Sequence, residues 1–100
     1  MSTQPNTEQL VAKIRALKPQ LESRYHIESL ALFGSYARRK QTPGSDLDLL
    51  VSFRQVPSLL RFVEMEDFLS DSLHVKVDLV MEEALKPNIG LQIRKELVPV

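Results

Sequence analysis

Apolar residues recur at helical spacing in the first quarter of the chain. These residues are Leu10, Ile14, Leu17 and Leu21. Because steps of three and four residues fall on one face of a helix, the spacing predicts an amphipathic helix, and Asn6 with Gln9 is suited to cap its start. Proline removes a hydrogen bond from a helix interior, so Pro19 predicts a break near Lys18 and a second short helix beyond it.

Two later segments have the same periodicity. In the first, the predicted helix face consists of Leu59, Phe62, Met65, Leu69 and Leu73. The acidic residues that we expect to coat its outside are Glu64, Glu66, Asp67 and Asp71. Residues 82–85 begin a turn or helix, and Pro87 restarts one. The apolar face of this last helix is predicted at Ile89, Ile93 and Leu97.

Three other segments have the patterns of β-strands. Residues 27–33 contain a short apolar run without helical period, which predicts a strand buried on both faces and ended by Gly34. Apolar residues alternate with other residues over 46–53 and 75–81, which predicts the second and third strands. Helices and strands together predict a protein of the α+β class.

Length and composition limit the functions to be considered. One hundred residues support a single compact domain, so we expect one domain over residues 1–100. Because 13 basic and 13 acidic residues give no net cationic charge, long DNA or RNA is not an expected ligand. The N-terminus lacks the basic and apolar regions of a signal peptide, and no apolar run reaches membrane-spanning length, which predicts a cytoplasmic location.

The absence of cysteine decides which side chains can bind a metal. It excludes disulfides and thiolate sites and leaves the carboxylates and two histidines. His26 and His74 stand at the ends of predicted elements, where exposure to solvent or helix capping is their expected role. Oxygen ligands favour magnesium, so the carboxylates are the candidate metal ligands.

A pair of aspartates opens the second predicted strand. Side chains alternate between the two faces of a strand, so Asp46 and Asp48 share one face. Two like charges at the edge of a core lose solvation and repel each other unless a cation lies between them. If the second and third strands are neighbours, Asp78 joins the pair. Three carboxylates can hold two magnesium ions, which is the arrangement used in nucleotidyl transfer.

The segment between the first two strands has the composition of a phosphate-binding turn. Glycine lets a phosphate approach the backbone at Gly34, and the amides and hydroxyl at Ser35 are donors for it. A brief helical turn over 36–40 follows, and then a loop at 41–44. Arg38 can reach the same triphosphate, although an exposed or structural role is equally compatible with its position.

Three stretches resemble the minimal nucleotidyltransferases of the polymerase-beta-like superfamily. They are Gly34-Ser-Tyr-Ala-Arg, Ser45-Asp-Leu-Asp-Leu and Lys76-Val-Asp-Leu-Val, and the resemblance runs over nearly the whole chain. It implies a small mixed sheet of three to four strands backed by helices. It also implies that Gly34 and Ser35 bind triphosphate and that the metal ligands are Asp46, Asp48 and Asp78, the last also acting as general base.

The resemblance further implies an activity and a partner. Members of this family are often encoded beside a helical HEPN toxin, and some act as antitoxins by adenylylating a tyrosine on it. We therefore expect transfer of AMP from ATP, with magnesium, to a hydroxyl of such a partner. A chain of 100 residues leaves no second domain to hold the acceptor, so the acceptor is expected to be a separate molecule.

Three positions keep other interpretations open. Arg39 stands where the family often has glycine, and Lys40 where an acidic residue is common, which puts the loop before Asp46 in question. A non-catalytic module that masks a helical partner is therefore one alternative. A nucleotidyltransferase acting alone on a small molecule, as for aminoglycosides, is another, although its drug pocket would need a dimer. Tyr36 suits either stacking on a nucleotide or packing against the sheet.

Overall fold

A computed structural model describes residues 5–100, apart from the side chain of Ile89. Its helices are α1 (Thr7–Tyr25), α2 (Gly34–Ala37), α3 (Leu59–Leu73) and α4 (Pro87–Arg94), and a short 3-10 helix covers Glu82–Ala84. Its strands are β1 (Ile27–Phe33), β2 (Leu47–Phe53), β3 (Val77–Met81) and β4 (Val98–Pro99). Within this part of the chain, no helix is both long enough and apolar enough to cross a membrane.

The four strands form one mixed sheet in the order β3-β2-β1-β4. β1 is antiparallel to both of its neighbours, whereas β2 and β3 are parallel. Parallel neighbours need a crossover connection, and α3 supplies it. The predicted α+β class and the mixed sheet backed by helices are confirmed.

The core lies between the helices and one face of the sheet. The residues of β2 that belong to this core are Leu47, Leu49, Val51 and Phe53. A bulge between Ile27 and Ser29 shifts the register of β1, so that Ile27 and Leu30 are both buried although they are three residues apart. Glu28 and Ser29 are therefore exposed, and the prediction that β1 is buried on both faces is wrong for this half of the strand.

Helix α1 runs through Pro19 without interruption, so the break predicted near Lys18 is wrong. Ile14 and Leu21 lie on either side of the proline and are both fully buried in the core. Each such burial stabilises the fold by about 1.5–3 kcal/mol, which offsets the roughly 3 kcal/mol that a proline costs inside a helix. Tertiary packing therefore overrides the local preference to break.

Side chains cap the starts of both long helices. The predicted capping box at Asn6 and Gln9 is confirmed, because each side chain accepts a hydrogen bond from the other residue's backbone amide. Ser58 caps α3 by accepting a hydrogen bond from the backbone amide of Arg61. His26 and His74 end these helices in the left-handed conformation and are exposed, in agreement with a capping role.

The predicted face of α3 is correct except at its first residue. Met65, Leu69 and Leu73 are buried, and Phe62 is partly buried and packs against the core, whereas Leu59 is 78% exposed. The helix begins before it reaches the core, so its apolar periodicity continues beyond the packed surface. A pattern of spacing shows which residues share a face but not where that face meets its partner.

Two side chains of α3 cover the free edge of the sheet. β3 is an edge strand, and its amides at Val77 and Leu79 donate hydrogen bonds to Ser70 Oγ at 3.0 Å and Glu66 Oε2 at 2.9 Å. Glu66 therefore does not coat the outside of the helix as predicted. Satisfying these edge amides removes a template for pairing with another chain.

The end of the chain forms a strand that the sequence pattern did not predict. Ile93 is buried as expected, but α4 ends at Arg94, so the prediction that Leu97 belongs to its apolar face is wrong. The predicted contribution of Ile89 lies outside the described side chains. β4 pairs with β1 instead, and this pairing supplies backbone hydrogen bonds that a continued helix through Pro99 would lose.

Replacing the proline inside α1 is expected to stabilise the protein. Pro19→Ala restores a helical hydrogen bond at an exposed position, so the free energy of unfolding should rise by about 1–3 kcal/mol in a urea titration. Gln20→Ala, at the neighbouring exposed position, is the control and should change it by less than about 0.5 kcal/mol. A destabilised Pro19→Ala variant would show that the proline relieves strain instead.

Candidate active site

Strand register brings three of the predicted site residues together. Asp48 is opposite Phe33 in the antiparallel pair of β1 and β2, which places it beside Gly34. Asp48 is also paired directly with Asp78 in the parallel pair of β2 and β3. Asp46 precedes β2 and is partly buried, as Asp48 is, whereas Asp78 is exposed. The neighbouring strands assumed from the sequence are thus present.

Gly34 and Asp48 approach each other too closely for any side chain at position 34. Gly34 has a φ of +75°, which is in the left-handed region. A Cβ atom built on it would lie 2.1 Å from Asp48 Oδ2. Glycine is therefore required both for the backbone conformation and for the space that the carboxylate occupies.

The helical turn after β1 begins two residues earlier than predicted and ends three residues earlier. α2 covers Gly34–Ala37, and Tyr36 is 1% exposed. Tyr36 therefore packs in the core, and burial, with a smaller contribution from nearby Asp46, raises the pKa of its hydroxyl. Thr7 of α1 donates a hydrogen bond to the carbonyl of Tyr36, which ties the turn to the first helix.

The carboxylates are held at an electrostatic cost. Loss of solvent, together with the neighbouring charges of Asp78 and Asp46, raises the pKa of Asp48 to about 6, against a lowering by Arg38. Among the described residues, no set of three or more histidine, cysteine, aspartate or glutamate side chains is arranged to hold a metal ion by itself. The cluster therefore concentrates negative charge without completing a metal cage.

Glu96 is a site residue that sequence reasoning missed. Its Oε1 accepts a hydrogen bond from the amide of Gly34 at 3.2 Å, and its Oε2 accepts one from Arg38 Nη1 at 2.8 Å. The Arg38 bond, with a smaller effect of the Gly34 amide, lowers the pKa of this carboxyl. The signal that could have found it is Val98-Pro-Val, which favours an edge strand over the end of a helix.

Arg39 adopts the backbone conformation that the glycine it replaces would favour. Its φ is 58°, and its guanidinium forms an ion pair with Glu8 at 2.7 Å. The loop that follows leads to Asp46 beside an open cleft of about 360 Å³. The residues that line this cleft are Pro5, Tyr36, Pro43, Gly44, Ser45, Asp46, His74, Val75 and Lys76. An arginine is therefore compatible with the turn at position 39.

Comparison with known protein sequences gives consistent matches. The family described as the nucleotidyltransferase domain matches residues 14–99. The protein adenylyltransferase MntA of Thermococcus cleftensis is 39% identical over 93 residues, which are 93% of this chain and 94% of that protein. A Methanocaldococcus jannaschii protein with the provisional name of protein adenylyltransferase is 48% identical over 88 residues, 87% of this chain and 90% of its own.

Solved structures share the fold. One provisionally described as a minimal nucleotidyltransferase has a TM-score of 0.83 at 33% identity and covers 99% of this chain and 100% of its own. A toxin-antitoxin structure with AMP-PNP has a TM-score of 0.74 at 25% identity, over 88% of this chain and 69% of that one. A complex of a tri-AMPylated Shewanella oneidensis HEPN toxin with an MNT antitoxin has a TM-score of 0.67 at 19% identity, over 90% of this chain and 70% of that one.

A side chain at position 34 is expected to destabilise the protein. Gly34→Ala forces a Cβ into the left-handed region and against Asp48, so the free energy of unfolding should fall by about 2 kcal/mol or more. Gly44→Ala is the matched control, because its Cβ would meet nothing within 4 Å, and it should change stability by less than about 0.5 kcal/mol. Equal urea midpoints for both variants would contradict the close approach.

The raised pKa of Asp48 predicts a stability difference that depends on pH. Because its folded pKa of about 6 exceeds the ordinary value of 3.8, the folded state binds more protons between these values, and ionisation lowers stability as pH rises from 3.8 to about 6. Asp48→Asn removes this charge. In EDTA its melting temperature should exceed that of the wild type at pH 7.5, and the gap should shrink toward pH 4.

A control variant tests whether neutralising an aspartate outside the cluster has the same effect on the melting temperature. Asp71→Asn changes an exposed aspartate of α3, outside the two strands that carry the cluster. Its difference in melting temperature from the wild type should not grow as the pH rises. A gap of constant size for Asp48→Asn between pH 4 and pH 7.5 would contradict the electrostatic cause.

Proposed function

The chain belongs to the nucleotidyltransferase domain family, and on this premise we propose that it is a magnesium-dependent protein adenylyltransferase. It transfers AMP from ATP to a hydroxyl, a tyrosine hydroxyl in our proposal, on a helical HEPN-type toxin encoded by an adjacent gene. It thereby acts as the antitoxin. The observation that carries the proposal is the register that sets Asp48 beside both Gly34 and Asp78.

The groups proposed to bind the triphosphate lie at the turn after β1. The Gly34 amide and the Arg38 guanidinium already share one carboxylate, Glu96, which shows that both can serve a single anion. A guanidinium suits a phosphate because its donors match the spacing of phosphate oxygens. The hydroxyl of partly buried Ser35 adds a further donor beside them. A related toxin-antitoxin structure with AMP-PNP supports the proposal that this turn binds a nucleotide.

The carboxylates proposed to bind magnesium are Asp46, Asp48 and Asp78. Magnesium is usually bound through one or two carboxylates together with substrate phosphates, which fits a cluster that does not form a cage by itself. The concentration of charge that raises the pKa of Asp48 is the kind that a cation relieves. When bound, magnesium supplies neutralisation of the phosphate charge and stabilisation of the leaving pyrophosphate.

The exposure of the three aspartates supports a division of roles. Asp48 is recessed against Gly34, whereas Asp78 is exposed, so an acceptor on another protein can reach Asp78. In the proposed step the acceptor oxygen forms a bond to the α-phosphorus while the bond from that phosphorus to the bridging oxygen breaks. Pyrophosphate leaves, and Asp78 takes the hydroxyl proton. The cleft beside Asp46 gives further room for substrate.

The conformation of Arg39 bears on the binding-only alternative. That alternative rested on a disturbed loop before Asp46, but Arg39 accepts the left-handed conformation and leaves Asp48 in contact range of Gly34. Adenylylation of the toxin in the Shewanella oneidensis complex, which shares the fold, supports the catalytic function as well.

A transfer assay tests the proposal. The chain is incubated with ATP labelled on its α-phosphate, magnesium and the purified helical protein of the adjacent gene, and label should appear on that protein. Asp46→Asn combined with Asp48→Asn should lower the rate at least about a hundredfold, because both changes remove carboxylates proposed to bind the magnesium that holds the triphosphate. EDTA should have a similar effect.

The control variant is Asp71→Asn, an exposed aspartate on α3, which should transfer label at the wild-type rate. Folding of every variant is checked by circular dichroism. Transfer by the double variant at the wild-type rate would contradict the proposed site. Neutralisation of the toxin by a folded double variant without label would favour the binding-only module instead.

A further inference from the structure

The C-terminal strand carries a carboxylate into the proposed phosphate site. β4 pairs with β1 so that Leu32 is opposite Val98 and Ala31 is opposite Pro99. Continued by two residues, the same register sets Glu96 opposite Gly34. The short strand therefore delivers one acidic side chain to the turn after β1, although 62 residues separate the two in sequence.

Glu96 is bound by the two groups that we propose bind phosphate. One carboxylate oxygen accepts a hydrogen bond from the Gly34 amide at 3.2 Å, and the other accepts one from Arg38 Nη1 at 2.8 Å. Its side chain is 26% exposed and that of Arg38 is 50% exposed, so the pair is open to solvent and can separate. The two oxygens of this carboxylate are hydrogen-bonded to an amide and a guanidinium, which are donors that also suit a phosphate group.

Glu96 also adds to the negative charge of the site. Its charge is one of the influences that raise the pKa of Asp48, in addition to those of Asp78 and Asp46. A negative side chain at this place is unfavourable for a triphosphate, which carries several negative charges of its own. Glu96 is therefore unsuited to contacting a bound nucleotide directly. It is suited to occupying the Gly34 amide and the Arg38 guanidinium while nucleotide is absent.

We infer that Glu96 is an internal anion that occupies the phosphate-binding groups of the nucleotide-free protein, so that an incoming triphosphate must displace it. This inference rests on the proposed function of Gly34 and Arg38. Glu96 thereby sets the affinity of the site, because each binding event first breaks its two hydrogen bonds. Removing its charge frees Arg38 and lowers the repulsion that the triphosphate meets.

Binding of inorganic tripolyphosphate to the full chain tests the inference. Glu96→Gln keeps the size of the side chain and removes its charge. Its dissociation constant for tripolyphosphate, measured by calorimetry, should be about tenfold lower than that of the wild type. Its melting temperature without ligand should not rise, because an ion pair has been lost. Tighter binding without added stability is a result that a merely structural role of Glu96 would not give.

Glu64→Gln is the matched control. Glu64 forms an ion pair with Arg61 at 2.8 Å, the same distance as in the pair of Glu96 and Arg38, but within α3. Its dissociation constant should equal that of the wild type. Unchanged or weaker binding by Glu96→Gln, with the wild type still binding, would overturn the inference and leave the proposed function intact. Absence of binding by every variant and by the wild type would overturn the inference and also the proposed phosphate-binding role of Gly34 and Arg38.

A second measurement covers the case in which Glu96→Gln fails to fold. In the wild-type chain labelled with ¹³C, saturation with tripolyphosphate should shift the carboxyl resonance of Glu96, because the carboxylate leaves Arg38. The carboxyl resonance of Glu64 should stay in place. If tripolyphosphate binds and neither resonance moves, Glu96 is not displaced and the inference is wrong.

Discussion

The contact of the Asp48 carboxylate with the backbone of Gly34 is the constraint on which the site depends. It requires a glycine with positive φ at the end of β1, and it requires β1 and β2 to pair in a register that sets the two residues side by side. The parallel pairing of β2 with β3 then adds Asp78. One close approach thus links the turn proposed to bind phosphate to the carboxylates proposed to bind metal.

This arrangement concentrates negative charge in a place that is partly removed from water. The pKa of Asp48 is raised for this reason, and the rest of the fold has to offset the cost of the buried charge. It is offset by burial on the opposite face, where alternate residues of the same strand, Leu47 and Leu49, are fully buried. The strand alternation that exposes the carboxylates to substrate therefore also provides the hydrophobic stabilisation that tolerates them.

The two edges of the small sheet are closed in different ways. At one edge, Ser70 and Glu66 of α3 satisfy the amides of β3 and hold the crossover helix against it. At the other, β4 is short, contains Pro99 and brings Glu96 to Gly34. The first edge therefore serves the fold, whereas the second also places a side chain at the candidate site.

Local patterns in the sequence were sufficient for strands β1 to β3 and for the positions of the long helices α1 and α3, because side-chain periodicity is a property of short segments. They also singled out the three aspartates that we propose as metal ligands. They were insufficient wherever long-range packing decided the outcome. Helix α1 passes through Pro19 because Ile14 and Leu21 are buried together. The last residues form β4 because an unpaired edge of β1 was available, and only that pairing brings Glu96 to the site. Such contacts join residues far apart in the chain, so the periodicity of a short segment does not specify which segments meet.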